Sequence, residues 1–242
     1  MREALAFLHW FEEACAGRIE PFEYGRGFFR DERPAVWDLN FLRVEGGEPE
    51  ARELVAAANE LMGGLEHRRV VVDDIALASR LEPAFPAHGW TIERHLVMEH
   101  RRPPEPRAPA PAREASPEEL APLWAELSRR RGFELDKRSI VEAAVATRYF
   151  AGFADGAPVS CCELYSRDGV GQIEDVVTLE EHRGRGLASA AVLSALAASV
   201  DEGNTLTFLL ADADDWPYRL YERLGFETTG RRWQFQRLPA SQ

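Results

Sequence analysis

The run Arg183-Gly184-Arg185-Gly186-Leu187-Ala188-Ser189 constrains this chain more than any other stretch. The apolar, β-branched segment Ile173-Glu174-Asp175-Val176-Val177-Thr178 before it reads as a strand, and Leu187 to Val200 after it reads as an Ala-rich helix. A strand therefore feeds a glycine loop that opens a helix. Gly184 and Gly186 lack a Cβ, so the backbone can turn sharply and its N–H groups can approach a ligand, while the first helical turn leaves four N–H donors without internal partners. That is a phosphate cradle, and Arg183 and Arg185 add positive charge beside it. The ligand-free alternative is a tight strand-to-helix connection. Two other phosphate loops fit worse: no Lys-Ser/Thr follows a G-x-x-x-x-G frame, and Ser189 stands where a G-x-G-x-x-G motif needs glycine.

Arg183 to Ala188 reads Arg-x-x-Gly-x-Ala, which resembles the acetyl-CoA-binding signature of the GNAT N-acetyltransferase superfamily. A second segment lies downstream. Thr205 to Leu210 reads as a buried strand, Asp214-Asp215-Trp216-Pro217 starts a helix with a cap and an early proline, and Gly225 ends it. That helix carries Leu220-Tyr221-Glu222-Arg223-Leu224-Gly225-Phe226, which is similar to the family's LYxxLGF segment. A chance glycine turn does not explain both motifs in this order.

Charge and composition narrow the alternatives. The 242 residues are 45% hydrophobic and carry a net charge of −12, which argues against nucleic acid or an anionic membrane as the main partner. No apolar run approaches the length of a membrane span, and the N-terminus lacks the apolar core of a secretory signal. Cys15, Cys161 and Cys162 have neither disulfide-framework nor zinc spacing, and the six histidines form no ligand pair, so no metal site is expected. A reducing cytoplasm suits such a chain.

In chain order, a helix is expected around Leu5 to Ala16, and Arg26 to Arg30 and Val36 to Val44 read as strand. Pro49 to Met62 places Leu54, Val55, Ala58, Leu61 and Met62 on one helical face, Arg69 to Val72 is a short buried strand, and Arg94 to His100 another. Gly89-Trp90 precedes that last strand much as Gly225-Phe226 precedes Arg231 to Gln236. The first half is thus either a degenerate relative of the second, as in tandem members of the superfamily, or an unrelated α/β cap. It contains no R-x-x-G-x-A loop, so no CoA is expected there.

The prolines of Arg102 to Pro111 suppress helix and sheet pairing, so domains are expected at 1–101 and 112–242 around a linker at 102–111. Ser116-Pro117-Glu118-Glu119 is a capping box that opens a helix to about Arg130, and a second helix, Ser139 to Ala146, follows a polar start at Asp136. Asp155-Gly156 and Asp168-Gly169 then separate three strands of an antiparallel meander. From residue 112 the order is helix, helix, three strands, helix, strand, helix, strand, as in the GNAT fold. The fold class expected is α/β, with a mixed, mostly antiparallel central sheet flanked by helices and a smaller N-terminal α/β domain.

The resemblance implies transfer of an acetyl group from acetyl-CoA, as co-substrate, to an amine of a small molecule or peptide through direct attack. The diphosphate would lie on the N–H groups of Arg183 to Ser189, and the pantetheine arm along Val176, Val177 and Thr178. Tyr221 stands at the position of the family's tyrosine that protonates the thiolate. Family members often place a base on the strand of Glu174 and Asp175; these neighbours are expected to face opposite sides, with Glu174 the choice and Glu163 a further candidate. Asp214 replaces a common family asparagine and Pro217 an alanine, which puts one pantetheine contact in doubt. A non-catalytic acyl-CoA-binding module is the competing reading, and dimerisation through the N-terminal half is a further role open to it.

Overall fold

The computed structural model describes residues 1–105, 110–131 and 137–239. Pro106, Pro109 and Asp136, used above for the linker and the second helix, lie outside the described residues. The elements in chain order are α1 (Arg2–Cys15), β1 (Arg18–Phe22), β2 (Gly25–Phe29), β3 (Phe41–Val44), α2 (Ala51–Leu61), β4 (Arg68–Val72), α3 (Ile75–Leu81), β5 (Thr91–His100), β6 (Ala112–Glu114), α4 (Pro117–Arg131), α5 (Arg138–Ala144), β7 (Ala146–Ala154), β8 (Ala157–Arg167), β9 (Val170–Thr178), α6 (Leu187–Asp201), β10 (Leu206–Asp212), α7 (Pro217–Arg223) and β11 (Phe226–Arg237). No helix among the described residues is long and apolar enough to cross a membrane.

Contacts divide the chain into two units that interleave in sequence. One comprises Met1–Phe7, Val97–Ala211 and Pro217–Thr229, and the other Leu8–Leu96, Asp212–Trp216 and Gly230–Gln242. Four elements, α1, β5, β10 and β11, thus contribute residues to both.

In the second unit β1, β2 and β3 form an antiparallel meander, β3 runs parallel to β4, and the chain's C-terminal segment Trp233–Arg237 pairs antiparallel with β4. This last pairing joins residues more than 150 positions apart, and local sequence pattern carries no trace of it. Phe29, Leu42, Leu54, Met62, Val70, Val72, Phe85, Trp90, Trp233 and Phe235 make the core, with the rings of Phe85 and Phe235 stacked at 4.0 Å. One expectation fails here, and one strand was not expected. Val36 to Asn40 is not strand: Trp37–Leu39 form a 3-10 turn, because Asn40 donates from Nδ2 to the carbonyls of Arg33 and Val36 and accepts the Arg30 N–H. β1 escapes the sequence because Pro21 interrupts its pattern, as an outermost strand tolerates.

In the first unit the order is β5, β10, β9, β8, β7, β6. Both meander turns form as expected, with Asp155 and Gly156 at φ 51° and 81° and Asp168 and Gly169 at φ 50° and 81°. The capping box also forms: Ser116 N donates to Glu119 Oε2 at 3.1 Å, and Glu119 N to Ser116 Oγ at 3.3 Å. β6 is an addition, pairing Ala112–Glu114 with Phe150–Gly152 directly after the prolines. Helix α6 is apolar and small-sided, which lets it settle closely on the sheet: a Cβ on Gly152 would stand 3.0 Å from Leu187, and one on Gly171 2.4 Å from Ser199 Oγ. Apart from β6 and the second helix α5, residues 112–237 repeat the order of residues 2–100: helix, meander, helix, parallel strand, helix, strand.

Gly225 closes α7 at φ 93°, where its carbonyl accepts the N–H groups of Arg101 and Arg102 at 2.9 and 3.2 Å. A Cβ there would stand 1.9 Å from the Arg102 carbonyl oxygen. Gly225→Ala combines left-handed strain with a backbone clash and is expected to cost about 3 kcal/mol or more, read as the loss in a urea unfolding midpoint.

Candidate active site

The site grows from a fault between two strands. β10 runs parallel to β9 from Leu206 opposite Val170 to Leu209 opposite Ile173, and the pairing stops there. Beyond Ile173 a bulge sets in: Cys161 pairs with Val177 and Glu163 with Glu174, so Asp175 and Val176 face the single residue Cys162. Asp175 takes a φ of 49°, the left-handed conformation that such a bulge uses and that Asp tolerates better than most residues. The bulge turns Glu174 to Thr178 away from β10 and leaves their backbone on that side to a ligand.

This bulge corrects the expectation that Glu174 and Asp175 point to opposite faces. Strict alternation ends at the left-handed residue, and both carboxylates lie close enough to the buried Tyr165 phenol to push its pKa up, after the larger effect of burial itself.

The released strand leads through the 3-10 turn Glu180–His182 to the glycine loop. Gly184 and Gly186 lie at φ 75° and 78°, as the sharp turn requires, and Gly186 is the N-cap of α6 with no side chain capping the helix. Its first-turn N–H groups are therefore unclaimed by a side chain. Arg183 and Arg185 are exposed and, among the described residues, make only long 3.4 Å bonds to the carbonyls of Thr178 and Glu181. Ser160 Oγ donates to the Val177 carbonyl, which leaves the Thr178 hydroxyl to donate to Ser160, both at 2.8 Å, and this fixes the strand end. The loop of Arg183, Gly184, Arg185, Gly186, Leu187, Ala188 and Ser189 thus follows Val176, Val177 and Thr178 after Leu179 and the 3-10 turn Glu180–His182.

The corresponding helix of the second unit is built the other way. α2 follows β3 through Glu45 to Glu50, and Glu50 and Glu53 form a capping box in which the Glu50 carboxylate takes an N–H of the first turn. A carboxylate already occupies the place of an anion. A diphosphate there would have to displace it, and the signal lay in the sequence as the run of Glu45, Glu48, Glu50 and Glu53.

Tyr221 on α7 is buried, with its ring 6.3 Å from Phe226 in an edge contact. Burial first, and then the charges of Cys162 and Glu174, raise its phenol well above the ordinary value. Among the described residues no protein group hydrogen-bonds its hydroxyl. Glu174 accepts the Gln172 side-chain amide and lies within electrostatic reach of Tyr221. Beside it the carboxylate of Glu163, 6% exposed, accepts the Tyr165 hydroxyl. Burial, then repulsion by Asp175, raises Glu163 to about 7, against the opposing pull of the Tyr165 hydrogen bond, Lys137 and Arg138. Cys161 is pushed up to about 12 and Cys162 well above its ordinary value, both chiefly by burial. Neither thiol is a nucleophile at neutral pH. Among the described residues no group of three or more His, Cys, Asp or Glu could hold a metal ion.

The strand, glycine loop and uncapped helix start follow one another in the order read from the sequence, and the bulge that parts the strand from its neighbour is an addition. Comparison with known families matches the acetyltransferase (GNAT) family to residues 107–226. Residues 107–226 belong to the GNAT acetyltransferase family. The GNAT domain thus carries both motifs quoted above. Curated proteins yield no match to the chain. Among solved structures, the chain is similar to a GCN5-related N-acetyltransferase from Kribbella flavida at 22% identity, with a TM-score of 0.67 over 97% of this chain and 94% of that one. A functionally unknown conserved protein from Staphylococcus epidermidis is 13% identical, with a TM-score of 0.69 over 93% and 94%. A tandem GNAT protein from the clavulanic acid biosynthesis pathway is 17% identical, with a TM-score of 0.59 over 90% and 79%. At these identities the likeness is one of fold, and it reaches well beyond the GNAT domain into the first hundred residues.

Proposed function

We propose that this protein transfers an acetyl group from acetyl-CoA to a primary amine of a small molecule or peptide by direct attack. The reading is carried by the continuity of the released β9 edge with the uncapped start of α6. The first offers amides to a pantetheine arm in the manner of an added strand, and the second offers N–H groups and a positive dipole end to a diphosphate. Arg183 and Arg185 supply charge that, among the described residues, is not spent on an internal carboxylate. A backbone N–H of the bulge polarises the thioester carbonyl.

Tyr221 serves as the acid that protonates the departing thiolate. Its raised pKa keeps the phenol protonated across the working pH range, and its hydroxyl has no competing partner among the described residues. The carboxylates of the β8–β9 face, Glu174 among them, receive protons from the acceptor. Direct attack fits better than a cysteine acyl-enzyme, because both neighbouring thiols are buried and held protonated.

Two measurements test this reading. Thiol release from acetyl-CoA is expected to rise with at least one member of a panel of primary amines, and acetyl-CoA hydrolysis that ignores every amine would point instead to a binding module. Calorimetric titration is expected to give one acetyl-CoA per chain, since α2 caps its own N-terminus; two sites per chain would remove that argument.

A further inference from the structure

Next to Glu174, on the same side of the sheet, the GNAT domain holds a pair that the proposed reaction has not singled out. Glu163 and Tyr165 lie two apart on β8 and so on one side of the sheet, with Glu163 in register with Glu174 and Tyr165 with Gln172. Tyr165 is fully buried and Glu163 nearly so. From β9 the carboxylates of Glu174 and Asp175 approach this pair. From β7 comes Tyr149, whose hydroxyl donates to Glu142 of α5 at 2.6 Å, while Lys137 and Arg138 approach at the start of α5 and Cys161 lies on β8 itself. Lys137 is drawn off to Asp175, 3.2 Å away, and the Arg138 guanidinium stacks 3.4 Å over the Trp124 ring. The only side-chain hydrogen bond recorded for Glu163 among the described residues therefore comes from a neutral phenol, and neither nearby cation pairs with it. Glu174 differs: it is half-buried, and Gln172 holds it by a donated amide hydrogen.

Resting on the acyl-transfer reading above, we infer that Glu163 is the group that takes the proton from the acceptor ammonium, and that Tyr165 is the residue that positions its carboxylate. An N–H bond of the ammonium breaks, an O–H bond forms on Glu163, and the freed electron pair attacks the thioester carbon. The C–S bond then breaks with its electron pair on sulfur, which takes the phenolic proton of Tyr221. The second nitrogen proton restores the phenol. Glu163 returns its proton to water past the half-exposed Asp175. A carboxyl that titrates close to neutrality is suited to this exchange.

The test is the pH profile of kcat/KM for acetyl transfer to ethanolamine, phenethylamine and spermidine, read beside 13C NMR titration of the Glu163 carboxyl. The wild type is expected to rise through about 7 with every amine, and the NMR titration to centre there. E163Q is expected to lose about a hundredfold at pH 7.5 and to follow the pKa of whichever amine is used. Y165F removes a hydrogen bond to the charged form and moves the rise up by about one pH unit, whereas D175N removes a repelling charge and moves it down. A purely structural pair would not give opposite shifts. Folding is checked separately. A carboxyl whose folded pKa is raised above its unfolded value loses stability as pH climbs through the folded value, so E163Q is expected to melt no lower than wild type at pH 8. Amine acetylation whose profile is unmoved by all three variants, or a Glu163 carboxyl titrating between about 4 and 5, overturns this role alone. Failure of the wild type to acetylate any amine overturns the acyl-transfer reading and this role with it.

Discussion

Gly186→Glu is expected to lower acetyl-CoA affinity about 1000-fold, equivalent to about 4 kcal/mol, while leaving the protein folded. A Cβ at Gly186 meets nothing closer than the Ala110 methyl at 3.9 Å, so the substitution has room and costs only the strain of a left-handed φ. The new carboxylate can reach the first-turn N–H groups of α6, as the Glu50 carboxylate does at α2. The diphosphate would then compete with an internal anion and face its repulsion. Loss of two charge-assisted hydrogen bonds, each worth roughly 1.5 to 3 kcal/mol, accounts for the magnitude. Gly186→Ala carries the strain without the charge and is expected to lose only about tenfold. Calorimetric titration with acetyl-CoA reads both variants beside their melting temperatures. Unchanged affinity in Gly186→Glu would remove α6 as the cofactor's anchor.

Tyr221→Phe is expected to lower kcat by roughly 100- to 1000-fold at nearly constant acetyl-CoA affinity. The ring contact with Phe226 survives the change, and no hydrogen bond from the described residues to the hydroxyl is lost. Packing therefore predicts little change in stability, and proton donation predicts a large change in turnover. Because the phenol's pKa is raised, Tyr221 stays protonated below about pH 10, and no alkaline decline in kcat from this residue is expected over the usual assay range. Steady-state thiol release between pH 6 and 10 measures both points. A kcat within twofold of wild type would leave Tyr221 a buried aromatic and nothing more.

Much of the GNAT domain was legible because its signals are local. The Ser116 and Glu119 bonds, the two Asp-Gly turns, Pro217 at the first position of α7 and Gly225 at its end are each set within four residues by the conformational limits of the residues involved. The glycine loop belongs to the same class. β1, β6 and the Trp37–Leu39 turn were missed or misread because their form depends on a partner strand or on the side-chain bonds of Asn40. The bulge at Asp175 was invisible for a related reason: nothing in Glu174-Asp175-Val176 announces that the partner strand holds one residue fewer. With it went the alternation argument used to choose between the two carboxylates.

Composition and motif order determined that this chain builds a meander, a glycine turn and an apolar helix in succession, since these follow from backbone freedom and side-chain shape over short spans. Tertiary structure alone decided that Trp233–Arg237 pairs with β4, that β9 parts from β10 after Ile173, and that Glu163 sits buried beside Asp175 without a cation of its own. These are matters of pairing and burial between distant residues. The free energy of such contacts is set by neighbours that folding supplies, and no short window of sequence contains them.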